Sequence, residues 1–404
     1  MHDTATIEAA KLARRTWLVP LVLYCSAHFL VDLYTTALGI LQPVLQKLFK
    51  LSFTQAGILA GVYVLSGSMM QPLYGYLCDR FRSRLFSALG PAIAAVFLSL
   101  LVWGGGFYGL LLMVALGGVG VAAFHPQAAS NAIVTITRHR KTAMAVFISC
   151  GSLGMAAGPL CFSPLLERLG LQWLALAAIP GVLMTCFLLF ALPSVESQQS
   201  ARGEFDWAPL KTVWKPMTIL YLLVMIRSVV QVTFQQFLPL YLTSSRRFTI
   251  SQAALSLSLF LLSGAIGGFA GGGLADRFGG RLIILISMIA SVPFLALFVF
   301  GRGVWSMVGL SLGGLILLFT NPVNIVLAQE LAPRRAGVVS ALMMGFAWGS
   351  AGFVFIPLVG LVSDLWSMQV GFACLVLFPL VGFLLALRLP RDIGIQASMS
   401  GADD

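Results

Sequence analysis

His28 and Asp32 stand four residues apart in the middle of an apolar run from Trp17 to about Gln42. A helix over that run, at ~1.5 Å per residue, is long enough to cross a ~30 Å hydrocarbon layer and puts both side chains on one face near mid-depth. Of fourteen acidic residues, thirteen fall in tails, in loops or near segment ends, and Asp32 alone is placed deep. A charge at that depth is costly unless it is paired or gives up its ionised form. Desolvation favours the neutral acid and a neighbouring cation favours the anion, so Asp32 beside His28 has the chemistry of a group that takes up and releases a proton.

Other polar residues sit equally deep. Arg227, Gln231 and Gln235 follow one another at i, i+4 and i+8, a polar stripe on one helix face. His125 precedes Pro126, and Asn321 and Asn324 flank Pro322 and Val323. A cation and amides together suit a small anion. Each also has a purely structural use: Asp32 and Arg227 as a permanent ion pair, His28 as a group that only orients Asp32, His125 as a hydrogen-bonded packing residue, and the asparagines as ties between helices. His28, Asp32 and His125 are plausible metal-ligand types, but no cysteine supports them and no fourth ligand is evident, so no metal is expected. Enzyme chemistry is not expected either: no serine nucleophile accompanies a base, and the His28-x-x-x-Asp32 spacing is not that of HxxxxD acyl-transfer sites.

The elements that must hold these residues are membrane helices. The 404 residues are 59% hydrophobic and 10% charged, with 41 glycines, a composition that excludes a soluble globular chain and suits close helix packing in lipid. Twelve apolar runs begin near residues 17, 52, 85, 107, 142, 171, 216, 251, 282, 305, 336 and 366. The polar interval between Pro193 and Pro216 divides them into an N-terminal bundle (1–193), a linker (194–215) and a C-terminal bundle (216–404). With the N-terminus inside, 18 of 25 Lys and Arg residues face the cytoplasm and six face out. That bias places both termini in the cytoplasm. The net charge of +11 is thus topological, and no basic cluster with interleaved aromatics points to nucleic acid. The six cysteines lie in or beside apolar segments without CxxC spacing and read as small buried hydrophobes. Residues 1–16 are polar and no small-residue cleavage site follows the first span, so an uncleaved first helix is expected.

The two halves repeat. Thr54-Gln55-Ala56 returns as Ser251-Gln252-Ala253, and Gly75 with Asp79-Arg80 returns as Gly272 with Asp276-Arg277, all displaced by 197 residues. His125-Pro126 returns as Asn321-Pro322 after 196, and Gly151 and Gly158 return as Gly345 and Gly352 after 194. Parallel repeats of this kind are a transporter architecture with its site where the repeats meet.

The stretches Gly75-x-x-x-Asp79-Arg80-Phe81-Arg82-Ser83-Arg84 and Gly272-x-x-x-Asp276-Arg277-Phe278-Gly279-Gly280-Arg281 resemble the loop signature of the major facilitator superfamily, the first copy carrying Arg82 where glycine is usual. They are read as gating and loop-anchoring residues. His28-x-x-x-Asp32, Phe124-His125-Pro126-Gln127 and the run from Ala328 to Gly349 resemble the bacterial fosmidomycin-resistance efflux proteins. Gly154-x-x-x-Gly158-Pro159 resembles part of an antiporter motif, with Phe162 and Ser163 where paired glycines follow in the family; a small-residue packing seam explains it equally well.

That resemblance implies an all-α membrane protein of twelve helices in two six-helix bundles, in the bacterial inner membrane, working as a monomer with no cofactor beyond the coupling proton. It implies a proton-coupled exporter of a small anionic phosphonate; the alternative is an importer or exchanger of a native organic anion or sugar-like solute. It also implies that spans 1, 4, 7 and 10 line the cavity, where the deep polar residues collect. Asp32, His28 and His125 are then the expected proton-coupling groups. Arg227, Gln231, Gln235, Asn321, Asn324, Tyr34 and Gln127 are the expected substrate ligands. Asp32 and a negative group of the substrate are expected to compete for Arg227.

Overall fold

Backbone polar groups in lipid have no water to bond, so each apolar run closes its hydrogen bonds internally as a helix. The computed structural model describes residues 18–81, 83–133, 136, 140–191 and 213–390. Eleven helices among them are long and apolar enough to cross a membrane: α1 (Val19–Leu48), α2 (Phe53–Cys78), α4 (Phe107–Ala132), α5 (Thr142–Leu169), α6 (Leu171–Ala191), α7 (Trp214–Ser245), α8 (Ile250–Phe278), α9 (Gly280–Phe300), α10 (Gly303–Leu331), α11 (Ala336–Leu365) and α12 (Met368–Ala386). The twelfth, α3 (Leu85–Ser99), is a shorter apolar helix continued by a turn of 3₁₀ helix. Each starts within a few residues of its expected position. Of the interval expected as a linker, 194–215, residues 194–212 lie outside the described residues, as does the N-terminal tail through Trp17.

The starts have local causes. Ser52 accepts from the Gln55 N–H while the Gln55 side chain returns to the Ser52 N–H, and Thr249 with Gln252 does the same at α8. At the end of α8, Gly279 has φ 89°, the left-handed turn that glycine takes without strain; its counterpart Arg82 lies outside the described residues.

Within each half, α1 packs on α5, α3 on α4 and α9 on α10. Gly154 and Gly158 of α5 press on the Phe29 and Leu33 carbonyls of α1, so any side chain there would meet backbone. The GxxxG run is a packing seam. Between halves, α2 meets α11, α5 meets α8 and the second part of α1 meets α7. A shift of six helices exchanges the first two of these pairs and returns the third to itself, as an internal two-fold requires.

Several helices depart from regular winding near their middles. α1 is interrupted at Thr36 and α10 at Leu318–Phe319. π-helical turns occur at Leu65–Met69 in α2 and Ala341–Ala347 in α11. These two touch: a Cβ on Gly345 would lie 3.4 Å from the Ser68 carbonyl. Such turns re-aim the side chains that follow them, here Trp348.

Candidate functional site

Three helices converge on Asp32. His28 lies one turn before it on α1, His125 is brought in by α4, and α5 supplies the wall. The His125 Nε2 stands 3.1 Å from Asp32 Oδ1 and the His28 Nε2 3.3 Å from Asp32 Oδ2. His28 and Asp32 are each 6% exposed. The His28 ring stacks on Phe147, with centroids 4.1 Å apart, and meets His125 edge-on at 5.0 Å.

The outer nitrogens fix the inner ones. His28 Nδ1 is 2.8 Å from the Phe147 carbonyl, and His125 Nδ1 is 2.8 Å from the Val121 carbonyl. A carbonyl oxygen only accepts, so each Nδ1 carries a hydrogen. A neutral ring would then turn the bare lone pair of Nε2 toward the carboxylate, which is repulsive. Each Nε2···O contact is attractive only with a proton in it. The two backbone carbonyls thus set the orientation of both rings, with each Nε2 turned toward Asp32.

Gly151 keeps this spot accessible to the triad. A Cβ there would lie 2.5 Å from both Asp32 Oδ2 and His28 Nε2. The three donor atoms lie within 4.8 Å of one another. No fourth His, Cys or carboxylate joins them among the described residues, so the set falls short of a closed metal site.

Arg227 is elsewhere. It is 2% exposed, donates to Gln231 Oε1 one turn on, and stacks on the Trp348 ring 5.6 Å from its centroid. No carboxylate lies within salt-bridge distance of it among the described residues, and its Nε has no hydrogen-bond partner there. The expected Asp32–Arg227 contact is replaced in this structure by the two Asp32–histidine contacts. Both charged residues are buried, but they are not in contact. Nearby in sequence, Gln235 is buried with its Oε1 unpartnered; on α10, Asn324 is fully buried with neither amide atom bonded, and Asn321 is half-buried.

Two expected ligands bond backbone groups in this structure. Tyr34 donates its hydroxyl to the Ala177 carbonyl at 2.5 Å and ties α1 to α6. Gln127 accepts from the Ser87 N–H at 2.9 Å and donates to the Ser83 carbonyl at 2.8 Å, fastening α4 to the start of α3. Neither is joined to Arg227 or Asp32. Among the gating candidates, Gly75 faces Pro126 and Gly272 faces Pro322, each 3.7 Å from a notional Cβ. Arg80 donates to the Tyr76 hydroxyl at 3.4 Å, Arg277 lies over the Phe278 ring, and Asp276 is exposed. The Asp79 side chain lies outside the described residues.

Trp348 and Gly151 were not among the expected site residues. Trp348 belongs to the Gly345–Gly349 run that carried part of the resemblance, and Gly151 to the 194-residue repeat. An aromatic three residues after a repeated glycine, and a repeated glycine in an apolar span, are signals the sequence holds.

A profile described as "Major Facilitator Superfamily" matches residues 24–356. The chain is 28% identical over 379 residues to the "Fosmidomycin resistance protein" of Escherichia coli (strain K12), covering 91% of each. It is 31% identical over 384 residues to the "Uncharacterized MFS-type transporter YfnC" of Bacillus subtilis (strain 168), covering 92% of this chain and 93% of that one. A crystal structure of a mutant nucleoside transporter NupG superimposes with TM-score 0.78 at 15% identity, over 92% of this chain and 99% of that one.

Proposed function

The chain belongs to the Major Facilitator Superfamily, and from that premise we propose that this multi-pass secondary transporter exports a small anionic compound, of the phosphonate class, against protons entering the cell. The protein that the chain matches over 91% of its length is named for fosmidomycin resistance. The observation that carries the reading is how the buried charges are divided. Among the described residues, the deep carboxylate Asp32 is held by two histidines, which leaves the deep guanidinium Arg227 with an amide and an indole.

A fully desolvated cation without an acidic partner selects for an anion, because the alternative is an uncompensated charge in a low-dielectric interior. Guanidinium presents a fork of donors that matches phosphonate or carboxylate oxygens, and Gln231, Gln235, Asn321 and Asn324 offer amides for the remaining polar atoms. Protons enter at Asp32, His28 and His125. Coupling runs through helix packing: the triad joins α1, α4 and α5 of the first half, whereas Arg227 and Trp348 join α7 and α11 of the second. One charge crossing ~100 mV contributes roughly 2.3 kcal/mol, nearly fiftyfold in gradient, enough to make such exchange useful for efflux. The site faces the bacterial cell membrane's two sides alternately, with both chain ends in the cytoplasm.

Inside-out vesicles carrying the protein and a trapped pH dye test this. Fosmidomycin should alkalinise acid-loaded vesicles through the wild type, and Asp32→Asn and Arg227→Ala at matched levels should not respond. Import of fosmidomycin coupled to protons moving with it would support the alternative direction. No proton movement with any organic anion would end the coupled-transport reading.

A further inference from the structure

Two acids stand where their own helices disfavour them. Glu167 lies in the last turns of α5 and Asp364 in the last turn of α11, at the negative end of each helix dipole. Their reason for being there is in the other half of the molecule. Glu167 Oε1 accepts the Ser251 N–H at 2.9 Å and Oε2 accepts the Ser251 hydroxyl, at the first turn of α8. Asp364 Oδ1 accepts the Phe53 N–H at 2.8 Å, and Oδ2 accepts the Thr54 N–H at 2.8 Å and the Thr54 hydroxyl at 2.6 Å, at the first turn of α2.

A first turn has backbone donors that its own helix cannot satisfy. Ser52 and Thr249 take one each through their capping boxes, and the acids from the opposite half take others. The arrangement is one unit used twice: Ser52 and Thr249, Thr54 and Ser251, Gln55 and Gln252, and Glu167 and Asp364 are all related by 197 residues. The two copies close the same membrane face, the one carrying the α1–α2, α5–α6, α7–α8 and α11–α12 connections. Beside them the halves are in backbone contact: Gly57 presses on the Ile356 carbonyl and Gly360 on the Phe53 carbonyl.

We infer that Glu167 and Asp364 are paired latches, positioning residues that hold this face closed during the part of the transport cycle in which the site opens to the other side. A transporter that alternates access must part this face once per cycle, and these are charge-assisted bonds between halves that the parting breaks. Hydrogen bonds to ionised groups at an exposed helix start are strong enough to bias the equilibrium and weak enough to release. Neither the nature of the substrate nor proton coupling enters this inference, which rests on these bonds between halves and on family membership.

Spin labels measure it directly in nanodiscs, after replacement of the six native cysteines by alanine. Tyr108→Cys with Trp305→Cys spans the latched face between halves, and Phe81→Cys with Phe278→Cys spans the opposite face; all four positions are exposed. Each of Glu167→Gln and Asp364→Asn should raise the ratio of long to short Tyr108–Trp305 separations about three- to tenfold, and the double variant by roughly the product. The Phe81–Phe278 pair should shorten reciprocally. Thr54→Val and Ser251→Ala keep both acids and remove one hydroxyl donor each, and should shift the ratio the same way by a smaller factor. A Glu167→Cys/Ser251→Cys disulfide should fix the short Tyr108–Trp305 separation until reduced. Separations unchanged in folded double and hydroxyl variants would overturn the inference, as would a disulfide variant that still opens this face.

Discussion

At the scale of single residues, this protein separates two jobs that one ion pair could have done together. In the proposed function Asp32 exchanges protons with His28 and His125, and Arg227 is kept for an anion. Because each histidine's Nδ1 hydrogen is already given to a carbonyl, only the Nε2 side of each ring faces Asp32, which is where the proposed proton exchange takes place. Asp32→Asn should therefore keep energy-independent exchange of labelled substrate while abolishing accumulation driven by a pH gradient. Loss of both, with intact thermal stability, would place Asp32 in substrate binding instead. Gly151→Ala introduces a methyl 2.5 Å from Asp32 Oδ2 and His28 Nε2, inside van der Waals contact. It should lower proton-driven transport about tenfold and cost about 1–3 kcal/mol of stability through overpacking, read as a reduced Tm. Arg227→Lys keeps the charge but loses the planar fork and the stacking on Trp348. A raised KM with kcat near normal is the expected signature, measured on fosmidomycin or another phosphonate.

Helices are placed by the small residues between them. Gly154 and Gly158 bring α5 against the α1 carbonyls at the level of the triad, so the same seam that holds the first half together aims Phe147 and Gly151 at His28. Gly154→Val should be strongly destabilising, by more than 2 kcal/mol, because the obstacle is backbone and cannot repack. Gly273 is the control: a helical glycine of α8 with nothing within 4 Å of a notional Cβ. Gly273→Ala should leave Tm unchanged or raise it, by about 0.5–1 kcal/mol of helix propensity. A melting series in one detergent separates these outcomes. The GxxxG run thus has a structural meaning here that does not depend on the direction of transport.

For the whole molecule, twelve passes return the chain to the face it started from. We propose that this face is the cytoplasmic one, since with that orientation 18 of 25 Lys and Arg residues lie inside. A protease site inserted in 194–212 should be cleaved in inside-out vesicles and protected in intact spheroplasts. The reverse pattern would invert the topology and put the Glu167 and Asp364 latches on the cytoplasmic face. Since the latch test itself reads only which face parts, it survives either result.

The chain by itself determined a great deal. Twelve apolar runs, a 197-residue repeat and one deep carboxylate are properties of order along the sequence. Lipid converts them into structure with little freedom, because each run must become a helix and each deep charge must find a partner. Depth along a helix follows from counting residues, so His28, Asp32, His125 and Arg227 could be placed at one level. Rotation about the helix axis and the crossing of neighbours do not follow from counting. Those depended on where α1 and α10 break, on the π turns of α2 and α11, and on how closely Gly154 and Gly158 let α5 approach. They decided that Asp32 meets two histidines instead of Arg227, that Tyr34 and Gln127 bond backbone carbonyls and amides, and that Trp348 lies on Arg227. Glu167 and Asp364 show both sides: their spacing was in the sequence, but an acid at the end of one helix acquires its role only when the start of a distant helix is folded against it.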